Sequence, residues 1–281
     1  TGGIVIDTGI AGLTLGGGLG WLASKYGLTC ENLLEVDIVT ADGQFRTASA
    51  TQNPALFWAV RGGGGNFGVV VSFQYQLHPV STVLGGLLIY PFEKAREFLQ
   101  VYSDFCKKTP DELNTFGCVL SVPDVGPAVG IIVSYHNEDA LEEGEKVLRP
   151  LREIGSPVVD DIRPMSYIEL QHITAPFALP ERRNYMKSFM VEDISEPLID
   201  TLIESFTRVP SPFSAVTFQQ LGNAVNRVDK EATAFNHREA RYELLIQSIW
   251  LDQAEDEAHI QWARELAAKS LSLTGAGDYV N

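Results

Sequence analysis

The sequence predicts an α+β fold in two parts: a small α/β lobe, then an antiparallel sheet backed by helices. Three observations lead there. Beyond about Gly85 the hydrophobic periodicity runs β-α-β-β-α-β, the split βαβ order that packs two helices on one face of an antiparallel sheet. A looser unit of strands and helices follows it. A shift in composition near Val80–Leu84 marks the boundary between the two parts.

The first part opens on Thr8-Gly9-Ile10-Ala11-Gly12-Leu13-Thr14-Leu15-Gly16-Gly17-Gly18-Leu19-Gly20, with six glycines in thirteen residues. Glycine lets backbone turn tightly and approach a ligand or another segment closely. No Asp, Glu, His, Lys or Arg lies in this stretch, so it has backbone amides to work with and no acid–base or nucleophilic group. Leading into a short helical segment expected at Trp21–Tyr26, it suits either a flat or anionic cofactor or a set of tight packing turns.

Glu35–Thr40 and Gln44–Ser49 read as strands around Ala41-Asp42-Gly43, because Asp-Gly between alternating apolar residues signals a hairpin. Asn53-Pro54 opens a helix, with Asn as cap, Pro in the first turn and Leu56, Phe57 and Val60 on one face. Gly63, Gly65 and Gly68 formally match G-x-G-x-x-G. They follow a helix and precede the strand Val69–Leu77, the reverse of a dinucleotide fingerprint, so they read as a second tight turn.

In the second part, strands are expected at Gly85–Phe92, Asn114–Val122, Ala128–His136, Pro157–Arg163, Asn184–Val191, Ala215–Leu221 and Arg241–Leu251. Helices are expected at Glu93–Lys107, Asp139–Ile154, Glu196–Arg208 and Glu255–Leu271. In the last helix Ala258, Trp262 and Leu266 recur every four residues, and Glu255, Asp256 and Glu257 sit at its positive end. Trp21, Tyr26, Trp58 and Trp262 read as core, since large aromatics mostly pack.

The totals exclude some functions. With 21 Lys plus Arg against 36 Asp plus Glu, the net charge is −15 over 281 residues, which repels nucleic acid and anionic membrane surfaces. No apolar run reaches the roughly 18 residues of a membrane helix. Cys30, Cys106 and Cys118 lack metal-site spacing and read as small core or surface residues. The chain starts at Thr1 without Met, with the glycine stretch close behind, and is expected to be a fragment of a longer polypeptide. Its localisation, cytoplasmic or secreted, is not readable.

Asp7–Leu22, Lys25-Tyr26-Gly27-Leu28 and Arg61-Gly62-Gly63-Gly64-Gly65-Asn66-Phe67-Gly68-Val69-Val70 resemble the FAD-binding domain of FAD-linked oxidases of the vanillyl-alcohol-oxidase (PCMH) type. The likeness is nearest to bacterial relatives of the berberine bridge enzyme. Gly222–Val228, Ala232–Arg238 and Gly277-Asp278-Tyr279-Val280-Asn281 resemble that subfamily's substrate domain and the start of its carboxyl-terminal motif. The resemblance implies the second half of a PCMH-type FAD-binding domain at 1–83, a substrate-binding domain at 84–275, and at 276–281 a motif returning to the FAD domain.

It also implies FAD, held by Thr8, Gly9, Ala11, Gly12, Leu13, Thr14, Gly17 and Gly20 along the ring and pyrophosphate. Val69 and Val70 would touch the adenine end through their backbone, and Tyr279 and Asn281 the flavin side. Gln219, His237 and Tyr242 are the expected substrate contacts, although a shift of one residue would turn a strand residue to the wrong face. His237-Arg238 also reads as a solvated loop pair.

Departures from the family pattern are informative. Val5 stands where a cysteinyl flavin link would be, and the family's R-G-G-H-like histidine and main pyrophosphate loop would belong to an amino-terminal FAD subdomain missing here. The motif Y-x-N-Y ends one residue short at Asn281, and Leu13 stands where relatives often carry a His. Small Gly3 lies where such enzymes control oxygen access.

The expected reaction is hydride transfer to FAD from an alcohol, sugar or amine-type C–H of a small organic substrate, with O2 as acceptor. The alternatives are a flavin dehydrogenase that does not use O2, and a cofactor-free remnant or binding domain. FAD binding by the chain alone is expected to be weak or absent.

Overall fold

The computed structural model describes residues 1–122, 126–177 and 181–274. Its elements, in chain order, are α1 (Ile10–Gly16), α2 (Ala23–Tyr26), β1 (Leu33–Val39), β2 (Phe45–Ser49), α3 (Pro54–Ala59) and β3 (Val69–Tyr75). Then come β4 (Thr82–Pro91), α4 (Ala95–Cys106), β5 (Leu113–Val122), β6 (Gly126–Tyr135), α5 (Leu141–Arg152), β7 (Val159–Asp160), β8 (Arg163–Ser166) and α6 (Tyr167–Gln171). The last are β9 (Arg183–Val191), α7 (Glu196–Phe206), β10 (Ala215–Gln220), α8 (Ala224–Arg227), β11 (Tyr242–Trp250) and α9 (Asp256–Thr274).

These fall into two compact units. Thr1–Val80 and Leu221–Glu239 form the first; the second comprises Ser81–Gln220 and the described chain from Ala240 onward. The segment Leu221–Glu239, expected from the sequence within 84–275, packs with the first unit instead. Arg61 Nη2 donates to Ala232 O at 2.8 Å and Trp58 Nε1 to Glu231 O at 2.8 Å. A Cβ on Gly62, whose φ is +114°, would come within 2.4 Å of the Phe235 backbone nitrogen. Glycine is what lets that segment lie so close.

The first unit is built on a three-stranded antiparallel sheet in the order β2-β1-β3. β1 and β2 form the expected hairpin, in register from Glu35–Ser49 to Val39–Phe45. Leu33, Val36, Ile38, Ala48, Phe57 and Val60 make its core. Asn53 takes a left-handed conformation (φ 47°) and spends its amide on Thr47 O, at 2.8 Å, rather than capping α3. Trp21 is fully buried as expected, but Trp58 is 42% exposed because its indole N–H reaches out to Glu231.

The expected short helix at Trp21–Tyr26 is α2, and the glycine stretch before it holds a further helix that was not expected. Ile10, Ala11, Leu13, Thr14 and Leu15 supply enough helix-compatible side chains to form α1 despite Gly12, and Thr14 Oγ1 donates back to Ile10 O at 2.7 Å. Gly17, at φ 128°, ends the helix.

The second unit is an antiparallel sheet in the order β7-β4-β6-β5-β10-β11-β9, with β8 also pairing β4. The expected single strand at Pro157–Arg163 divides into β7 and β8. The run β4-α4-β5-β6-α5-β7 is one split βαβ unit, and β9-α7-β10-β11-α9 has the same winding; the two join through β5 and β10. Helices α4, α5, α7 and α9 cover one face, and Leu170 of α6 reaches the other, 3.0 Å from a Cβ built on Gly85. On the first face Phe98 and Tyr102 of α4, Leu148 and Leu151 of α5, Leu198 and Leu202 of α7, and Ala263 and Leu266 of α9 pack on Val119, Ile131, Val133, Val216, Phe218, Leu244 and Ile246. Cys30, Cys106 and Cys118 are free and buried. No helix among the described residues is long and apolar enough to cross a membrane.

Candidate functional site

In the first unit the glycine stretch has two different halves. Thr8, Gly9, Ile10, Ala11 and Gly12 are exposed and carry no ionisable side chain. A Cβ built on Gly9 or Gly12 meets nothing within 4 Å, so this surface is open. The other half is enclosed by protein. A Cβ on Gly20 would fall 1.7 Å from Gly2 O, and the Thr14 hydroxyl is buried and shared with Tyr75 Oη at 2.6 Å. The carbonyls of Gly17 and Gly18 accept from the backbone N–H groups of Cys30 and Thr29, both at 2.9 Å. Thr14, Gly17 and Gly20 are therefore spent on packing, whereas Thr8, Gly9, Ala11 and Gly12 are available to a ligand. Leu13 is half-buried, with a methyl 3.1 Å from a Cβ built on Gly3.

Val69 and Val70 open β3, the edge of the small sheet, paired with Val39 and Ile38 of β1. Every second backbone N–H and C=O along an edge strand faces away from the sheet. Tyr279 and Asn281 lie outside the described residues.

An ion pair braces this unit. Arg238 donates to Glu31 Oε1, to Val225 O at 3.0 Å and to the Thr233 hydroxyl at 2.7 Å, and lies 5.0 Å from the Phe235 ring centre. Glu31 Oε2 accepts from the Leu28 backbone N–H at 2.7 Å. Burial nevertheless pushes the Glu31 carboxyl above its ordinary value, against the pull of Arg238. Arg238 is thus no solvated loop residue. His237, half-buried and edge-on to Phe235 at 5.7 Å, belongs to this unit.

In the second unit the two expected substrate residues face opposite ways. Tyr242 is fully buried in the helix-covered core, 6.0 Å from the rings of both Tyr102 and Phe218, and burial drives its phenol far up. That removes it as a substrate contact. Gln219 points to the other face and is paired across the ladder with Glu243. Each is 5% exposed. Burial raises the Glu243 carboxyl to about 7, against a hydrogen bond with Ser188. Glu243 was missed because the strand was read one residue out of phase: it follows Tyr242 directly, and a lone acid in an apolar strand was the available signal.

A shallow depression over α5 is lined by Glu142, Glu145, Lys146, Arg149 and Arg152. It is a solvated helix face of paired charges, with nothing suited to redox chemistry. Among the described residues no group of His, Cys, Asp and Glu could hold a metal ion.

Residues 1–49 match the family model described as an FAD binding domain. An FAD-linked oxidoreductase of Dictyostelium discoideum is 29% identical over 283 residues, covering 99% of this chain and 61% of that protein. The fold matches the BBE-like 1 protein of Physcomitrella patens with a TM-score of 0.86 at 21% identity, over 99% of this chain and 63% of that one. It also matches 6-hydroxy-D-nicotine oxidase from Arthrobacter nicotinovorans, with a TM-score of 0.81 at 26% identity, over 96% of this chain and 61% of that one. The chain thus spans less than two thirds of each of these relatives. The open, side-chain-poor strip at Thr8–Gly12 lies inside the matched FAD-binding region and fits a flat uncharged ring. On sequence and fold together, the chain is similar to FAD-linked oxidoreductases, carries part of an FAD binding domain at residues 1–49, and shares the fold of berberine-bridge-enzyme-like proteins.

Proposed function

We propose that the protein is an FAD-dependent oxidase that removes a hydride from a carbon bearing a hydroxyl or amine, with O2 as acceptor. The observation that carries this reading is the buried Glu243 carboxyl, raised to about 7, beside Gln219 on the sheet face opposite α4, α5, α7 and α9. A base poised near neutrality is what proton removal at physiological pH calls for.

Thr8, Gly9, Ala11 and Gly12 would lie along the flavin ring, and the free edge of β3 at Val69 and Val70 against the adenine end. When bound, FAD supplies the hydride acceptor. Ionised Glu243 takes the proton of the substrate O–H or N–H as its carbon gives up hydride, leaving C=O or C=N. The Gln219 amide orients the heteroatom. An amino-terminal FAD subdomain, as the resemblance implies, completes the cofactor site.

The test is a polypeptide carrying that subdomain, purified and examined for flavin bands. We expect bound FAD that bleaches anaerobically on addition of an alcohol or amine substrate and returns with peroxide formation in air. A protein that takes up no flavin would overturn the reading.

A further inference from the structure

The residues of the sheet face opposite α4, α5, α7 and α9 are read off the strand register. One row crosses six strands as Leu87, Ile132, Phe116, Gln219, Glu243 and Met190, each directly paired with the next. Neighbours in such a row stand about 4.8 Å apart. The adjacent row passes through Ile89, Gly130, Cys118, Thr217, Leu245 and Ser188. Ile89, Cys118, Leu120 and Ala128 form a buried apolar cluster on this side. Across both rows the one ionisable oxygen acid is Glu243, and no Lys, Arg or Asp occurs.

Gln219 and Glu243 therefore sit side by side as one donor and one acceptor, with Thr217 and Ser188 in the next row and largely apolar side chains otherwise. Gln219 Nε2 is buried and has no hydrogen-bond partner among the described residues, and an unpaired buried amide costs about 1–3 kcal/mol. Such a donor is retained where a ligand atom completes it. Beside it, the Glu243 carboxyl offers an acceptor. Together they satisfy one hydroxyl or amine: its heteroatom accepts from Gln219 and its hydrogen goes to Glu243.

We infer that this face takes a largely apolar, ring-containing substrate with a single hydroxyl or amine at the reacting carbon, and rejects sugars and carboxylates. A polyol would bury hydroxyls against Leu87, Ile132 and Cys118 without partners, each at a cost of about 1–3 kcal/mol. A carboxylate would meet Glu243 as a like charge with no cation to offset it.

The inference rests on the proposed function, and its test separates the two. Flavin content of the same full-length polypeptide is first read from its visible spectrum. Binding of 2-naphthalenemethanol, 2-naphthoate and glucose is then measured by calorimetry. The alcohol should bind at least ~10-fold more tightly than the naphthoate, a difference of about 1.4 kcal/mol, and glucose should not bind measurably. Glu243→Gln should shrink the alcohol-to-naphthoate ratio, and Gln219→Leu should weaken the alcohol without admitting glucose. Cooperative thermal melts establish that both variants fold. If flavin is present but glucose or naphthoate binds as well as the alcohol, or Glu243→Gln leaves the ratio unchanged, the substrate class is wrong and the oxidase reading stands. Absence of flavin sinks the oxidase reading itself.

Discussion

Glu31 and Arg238 lie 207 residues apart in the chain and form a buried ion pair, with side chains 9% and 4% exposed. The pair ties the turn after α2 to the segment between β10 and β11. Removing one partner of such a pair strands a charge away from water, at a cost of about 3–5 kcal/mol, whereas replacing both by apolar residues is often nearly neutral. Glu31→Met and Arg238→Met should each lower the urea midpoint sharply, and the double variant should recover most of the loss. Additive losses would mean that the pair does not act as one unit.

The two halves of the glycine stretch should respond oppositely to alanine. Gly12→Ala adds a methyl into open space inside α1, so stability should hold or rise by about 0.5–1 kcal/mol. In full-length protein the same methyl should weaken FAD at least ~10-fold. Gly20→Ala drives a methyl into Gly2 O and should destabilise by about 1–3 kcal/mol. Thermal melts with parallel flavin titrations measure both effects.

Glu243 should link stability, and under the proposed function activity, to pH. Its folded pKa of about 7 lies above the ordinary 4.5, so the folded protein holds this proton more tightly than the unfolded chain. Its contribution to stability is full below about pH 4.5 and is lost as pH rises through about 7, on the order of 3 kcal/mol in all. Glu243→Gln should flatten that part of the stability curve and remove the rise in substrate oxidation near neutral pH. Urea unfolding and initial rates between pH 5 and pH 9 would show it.

His259 on α9 should act in the opposite sense. Its ring stacks on Trp250, with centres 4.8 Å apart and planes 3° apart, and burial lowers its pKa against the smaller opposing pull of Glu255 and Asp256. The folded state holds it neutral, so its contribution is full above the ordinary 6.5 and lost as pH falls below it. His259→Phe keeps the stack and should abolish this acid-side loss, read as a smaller drop in melting temperature between pH 7 and pH 5.

Much of the fold was legible because local chemistry and tertiary packing agreed. Asp42-Gly43 gives the β1–β2 hairpin, and the period-two runs give β4, β5, β6, β9, β10 and β11 within a few residues of their observed ends. What the chain hid was decided by distant partners. Gly20 is small because Gly2 lies against it, and Gly62 because Phe235 does; neither neighbour is local. A one-residue change of phase exchanged Tyr242 for Glu243, since strand side chains alternate faces. Arg238 looked like a solvated loop residue because nothing in its neighbourhood announces Glu31.

The insertion of Leu221–Glu239 between two adjacent strands of the larger sheet binds the history of the two units together. No single cut releases either one whole, and a crossover that exchanges the larger sheet must carry over the guest loop or find a replacement that the host glycines accept. Point changes on the sheet leave that join intact, whereas the exchange of a complete unit does not.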